Sequence, residues 1–101
     1  MVKHVTTADF EEVVIKAEGK VLVDLFATWC GPCSMMAPVL EQVSDITPDV
    51  KIVKVDIDEN PELAERYKVM SIPTFMVFEN GTVVKKTVGA ISKSELLELI
   101  G

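Results

Sequence analysis

The chain's two cysteines, Cys30 and Cys33, stand three apart in "ATWCGPCSMMAP", with its single tryptophan, Trp29, just before them and Gly31-Pro32 between. Such a pair could hold a metal, staple the chain or work as a redox couple. A structural zinc site takes four ligands, and the one histidine, His4, lies far off near the N-terminus. Metal binding would therefore need carboxylates or a second chain, so ligand count favours redox chemistry, with a site shared between two subunits as the surviving metal version. His4 reads most simply as an exposed strand residue. A ring this short removes little entropy from the unfolded chain, which makes the pair a poor staple. Residues three apart on a helix have Cβ atoms roughly 5–6 Å apart and a disulfide wants about 4 Å, so small rotamer changes open or close the bond on one backbone.

The local setting gives the two thiols different tasks. At a helix start, free N–H groups and the positive end of the helix dipole favour a thiolate, and Cys30 sits at or just before the first turn. Cys33 lies one turn deeper, where burial disfavours its charged form. The expectation is an exposed attacking thiol and a shielded resolving one. Asp24 interrupts the otherwise apolar "VLVDLFA", and an unpaired carboxylate there costs several kcal/mol, so it needs a partner or a task.

The elements that position these residues alternate along the chain. A short strand near residues 3–5 precedes "TTADFEEVVIKAEG", where Thr6 and Asp9 suggest a helix start, Phe10, Val13, Val14 and Ala17 keep helical spacing, and Gly19 stops the run. Residues 21–27 read as a central strand apolar on both faces. The next helix has Pro32 in its first turn, Met36, Val39, Leu40, Val43 and Ile46 inward, and Pro48 at its end. Residues 51–58 form a strand that can run parallel to the previous one. Asn60 caps a short helix opening at Pro61, with Leu63, Ala64 and Tyr67 inward.

"TFMVFENGTVVKKTV" is a hairpin turning at Asn80-Gly81. Ser92 and Glu95 form the capping box of a last helix, with Ile91 and Leu96 as its staple and Leu97 and Ile100 continuing inward. The order predicts an α/β fold, a mixed central sheet with helices on both faces. The cysteines fall where the central strand ends and a helix begins, the edge at which open α/β sheets gather their chemistry.

Composition narrows the partners. With 49% apolar residues the 101-residue chain can build a core as one domain. Sixteen acidic against ten scattered basic residues give a charge of −6, which does not attract nucleic acid. The N-terminus has no basic-then-apolar leader, and no apolar run approaches a membrane span of roughly 18 residues, so a soluble cytoplasmic protein is expected. In that compartment a lone cysteine pair is usually transient, catalytic or metal-bound.

"WCGPC" after "VDLFAT", followed by "SIPT" and "VGA", resembles the thioredoxin family from about residue 4 to the end. The resemblance implies the thioredoxin fold, a three-layer α/β/α sandwich with a mixed sheet of about five strands and four flanking helices. It implies Cys30 as nucleophile, Cys33 as resolving thiol, Gly31-Pro32 as the pair that tunes the site toward reduction, and Trp29 as its flank. Asp24 resembles the family's buried acid that takes the proton from the resolving thiol, and Lys54 matches the lysine beside it, though a solvated strand lysine reads as well from sequence. Ile72-Pro73 resembles the family's cis-proline segment, which with Thr74, Val88, Gly89 and Ala90 would form an apolar rim for an extended substrate; a proline opening a strand is the plain alternative. Phe26, Ser34 and Ser71 depart from the commonest family residues, which bears on partner choice and redox tuning.

The expected function is reduction of client protein disulfides through a transient mixed disulfide, by a monomer with no bound cofactor or metal that receives electrons from a thioredoxin reductase. An oxidant or isomerase on the same fold, a non-catalytic binding module and the metal-bridged dimer are the alternatives.

Overall fold

The computed structural model describes residues 1–101. Five strands, β1 (Val2–His4), β2 (Lys20–Phe26), β3 (Lys51–Asp56), β4 (Thr74–Glu79) and β5 (Thr82–Val88), form one sheet in the order β1-β3-β2-β4-β5. The helix between β2 and β3 carries the chain back across the sheet, and both β1 and β2 pair with β3 in parallel. The hairpin adds β4 and β5 antiparallel on the other side of β2. Its turn places Asn80 at φ 52° and Gly81 at φ 81°, the paired left-handed residues of a type I′ turn.

Three α-helices, α1 (Gly31–Ile46), α2 (Pro61–Arg66) and α3 (Lys93–Ile100), and a π-helical segment over Glu11–Ile15 cover the sheet. Alternation along β2 sends Val21, Val23 and Leu25 to the face packed with Phe10 and Val14 of the first helical region and Leu63 of α2. Leu22 points to the opposite face with Met36, Leu40 and Val43 of α1 and Leu96 and Ile100 of α3. The fold is therefore the three-layer arrangement with a five-stranded mixed sheet and four helical elements. The capping box at the start of α3 is complete, Ser92 Oγ accepting from the Glu95 N–H at 3.1 Å while Glu95 Oε1 accepts from the Ser92 N–H at 3.0 Å.

Several local expectations are corrected. Thr6 does not cap a helix; the Asp9 carboxylate accepts from its N–H at 2.6 Å and its hydroxyl at 2.9 Å, closing a turn. The helix that follows is π-wound, with the Lys16 N–H reaching the Glu11 carbonyl at 2.9 Å, and it ends well before Gly19. Three consecutive β-branched residues, Val13 to Ile15, disfavour a regular α-helix there. Asn60 precedes α2 but makes no capping bond with its side chain, whose Oδ1 accepts instead from the Thr7 N–H at 2.9 Å. Ile46 is exposed rather than inward.

Candidate active site

β2 ends at Phe26, and the Cys30 N–H bonds back to the Ala27 carbonyl at 3.2 Å, so the chain turns sharply and α1 begins at Gly31 with Cys30 as its N-cap. An N-cap side chain accepts from the first turn, and here that acceptor is sulfur: Cys30 Sγ receives the Cys33 N–H at 3.2 Å. Pro32 takes an early helical position where its missing N–H costs nothing. Cys30 and Cys33 are joined as a disulfide with Cα atoms 5.3 Å apart, and neither cysteine is free.

The expected exposure of the attacker is corrected. Cys30 is only 6% exposed against 2% for Cys33, so both residues are buried, in the same order as expected but with a small difference. What covers Cys30 is the segment before β4: the Ile72 carbonyl oxygen stands 3.9 Å from its Sγ. The Ile72-Pro73 peptide bond is cis. Pro73 and Thr74 are buried; the Thr74 hydroxyl donates to the Ser71 carbonyl at 2.6 Å and the Gly89 N–H donates to the Pro73 carbonyl at 2.8 Å, which ties the two loops together. The exposed apolar groups in these segments are Trp29, at 71%, and Val88, with Ala90 also exposed and Ile72 half-buried.

The Trp29 indole N–H donates to Asp58 Oδ2 at 2.7 Å, which fixes the ring at the surface rather than in the core. Asp58 is a residue that sequence reasoning passed over. Its signal was positional, since it follows the carboxyl end of a strand parallel to β2 and must lie on the same edge of the sheet.

Asp24 is wholly buried, and neither carboxylate oxygen has a hydrogen-bond partner. Burial pushes its pKa from 3.8 up to about 7, while the positive charge of Lys54 pulls in the opposite direction. Lys54 is its in-register neighbour on β3, half-buried, with its Nζ 4.5 Å from the centroid of the Phe26 ring rather than in an ion pair with Asp24. A cleft of about 270 Å³ opens here, lined by Phe26, Ala27, Thr28, Cys33, Ser34, Ala37 and Lys54. The fold thus brings the disulfide, Lys54 and the Ile72 segment to one end of the sheet, with Asp24 buried as the register partner of Lys54. Gly31 and Pro32 are exposed at the helix start. No group of three or more His, Cys, Asp or Glu side chains is arranged to hold a metal ion, and no helix is long and apolar enough to cross a membrane.

Comparison with known proteins agrees with this geometry. The thioredoxin family model matches residues 1–101. A thioredoxin of Pseudomonas aeruginosa is 51% identical over 94 residues, covering 92% of this chain and 87% of that protein. Thioredoxins of Listeria monocytogenes and Rickettsia bellii are 50% and 46% identical over 101 residues, each covering 99% of this chain and 96% of the relative. With a disulfide-bonded C-x-x-C pair at the head of α1 and relatedness along its whole length, the chain belongs to the thioredoxin family of dithiol–disulfide oxidoreductases.

Proposed function

We propose that the protein reduces disulfides of client proteins, with Cys30 as attacking thiol and Cys33 as resolving thiol. The observation that carries the assignment is the place of Cys30 Sγ as the N-cap acceptor of α1. In the reduced protein the same N–H and the helix dipole favour a thiolate at that sulfur. The thiolate attacks one client sulfur, forming a Cys30–client disulfide and expelling the other client sulfur as a thiolate that takes up a proton. Cys33 then loses its proton and attacks Cys30 Sγ, which restores the Cys30–Cys33 disulfide and releases the second client thiol. Two electrons pass to the client, and a thioredoxin reductase must return them.

Asp24 is the acceptor proposed for the Cys33 proton, because a carboxyl poised near neutrality can take it and give it up again. Lys54 favours the charged form of that carboxyl. Trp29, Ile72, Val88 and Ala90 offer the apolar surface to an extended client segment, while Pro73, Thr74 and Gly89 hold that surface from beneath. Gly31 and Pro32 leave the helix start uncrowded and favour the reducing direction. The reading further takes residues 1–101 as a single domain that acts as a cytoplasmic monomer without a bound cofactor or metal, and without nucleic-acid or membrane partners.

Trapping tests the roles of the two thiols. Cys33→Ser is expected to accumulate mixed disulfides with a model client through Cys30, seen as a mass increase removed by reductant, whereas Cys30→Ser does not. Equal trapping by both variants would overturn the assignment.

A further inference from the structure

The positive charge of Lys54 favours the charged form of Asp24, yet its ammonium rests on an aromatic ring. The register across β1, β3 and β2 pairs His4 with Lys54 and Lys54 with Asp24, which sets all three in one row on the face of the sheet that α1 covers. Phe26, two residues beyond Asp24 and on the same face, closes the row. Its ring holds the Lys54 Nζ at 4.5 Å and meets the His4 ring edge-on, with centroids 5.7 Å apart and an interplanar angle of 72°. A lysine ammonium is strongly hydrated and its stem flexible, so without the ring nothing here would hold it back from solvent. An aromatic face supplies that hold.

We propose that Phe26, braced by His4, is a positioning residue that keeps the Lys54 ammonium at the cleft beside Asp24 and so sets how readily that carboxyl binds a proton. The inference rests on the proton-transfer role proposed for Asp24, and Phe26 acts through Lys54. Few other charges compete. Asp56, the register partner of Phe26, is engaged by the N–H groups of Asp58 and Glu59 at 2.9 and 3.3 Å. From α1, Glu41 accepts the Val2 N–H at 3.2 Å, and the α1 residues that line the cleft, Cys33, Ser34 and Ala37, carry no charge in this state.

The test titrates the Asp24 carboxyl directly by carbon NMR in the oxidised protein. Lys54→Gln removes the charge that favours the carboxylate, so the Asp24 midpoint rises. Phe26→Met, of similar bulk but without a ring face, is expected to raise it as well, by about half a pH unit, the size of shift an exposed cation–π contact can carry. Phe26→Tyr keeps the face and the wild-type midpoint. His4→Ala raises the midpoint less than Phe26→Met. In the Lys54→Gln background neither Phe26→Met nor His4→Ala adds a further shift. A Phe26→Met effect that is absent, that survives undiminished without Lys54, or that Phe26→Tyr reproduces would overturn the inference. Rates of mixed-disulfide resolution in the same variants report separately on Asp24. Rates that ignore its midpoint remove its role in proton transfer while leaving the coupling measured by NMR intact.

Discussion

Under the π-helical segment and α2, one face of the sheet packs Phe10, Phe78 and Tyr67 in mutual edge and tilted contacts with Val21, Val23 and Leu25, and buries no charge. Under α1 the other face begins the same way, with Leu22 against Leu40 and Val43, but toward the carboxyl end of β2 it buries Asp24 without a hydrogen-bond partner. Both faces come from alternate residues of the same strand, so the difference is not one of backbone. It teaches where stability is built and where it is given up for chemistry: apolar burial accumulates on the first face, and the second carries a carboxyl that the fold would be more stable without.

Breaking the apolar face is expected to have the largest effect on the fold. Phe78→Ala should lower stability by about 3–5 kcal/mol in denaturant unfolding, since it removes a wholly buried ring that contacts both Phe10 and Tyr67. At temperatures where the variant remains folded, its disulfide exchange should stay close to wild type. A loss of exchange as severe as the loss of stability would show that the two faces are not separable.

Asp24→Asn sharpens the comparison from the other side, and its sign depends on pH. The folded-state pKa of about 7 lies above the ordinary 3.8, so the folded protein holds this proton more tightly than the unfolded chain. The stability that goes with it is fully present below about pH 4 and is lost as pH rises through 7. Asp24→Asn should therefore stabilise the oxidised protein by up to about 4 kcal/mol at pH 8, with the gain vanishing near pH 4, and should slow mixed-disulfide resolution. Unfolding curves at the two pH values check the first part; a gain independent of pH would mean that Asp24 does not titrate in the folded protein.

The smallest effect is expected from Ser92→Ala. Loss of the Ser92 hydroxyl opens the capping box of α3, which packs behind α1, and should cost about 1 kcal/mol without altering exchange rates. A change in rate would mean that α3 transmits to the site.

Much of this was legible in the residues. The hairpin at Asn80-Gly81 and the capping box at Ser92 are local devices, written in a few adjacent residues, and both form as read. The cysteine pair at a strand-to-helix junction was equally local, as was the anomaly of an acid in an apolar strand. The first helix misled because its apolar spacing fits an α-helix while its β-branched run does not, and the balance was struck by packing on the sheet. Burial of Cys30 was not legible, because it depends on Ile72, forty-two positions away in the chain.

Residue types and short spacings alone decide which atoms can exchange disulfides and which acid is out of place, so the kind of chemistry is written in the chain before it folds. Tertiary structure decided how those atoms are tuned. Only the sheet order aligns His4, Lys54 and Asp24 across three strands, only the loop contacts set Asp58 against Trp29, and only burial in the folded chain brings the Asp24 carboxyl to about 7. The difference is one of range: a cap or a turn is settled within a few residues, whereas desolvation and the field of a neighbouring charge depend on everything packed around a group, wherever in the chain it comes from.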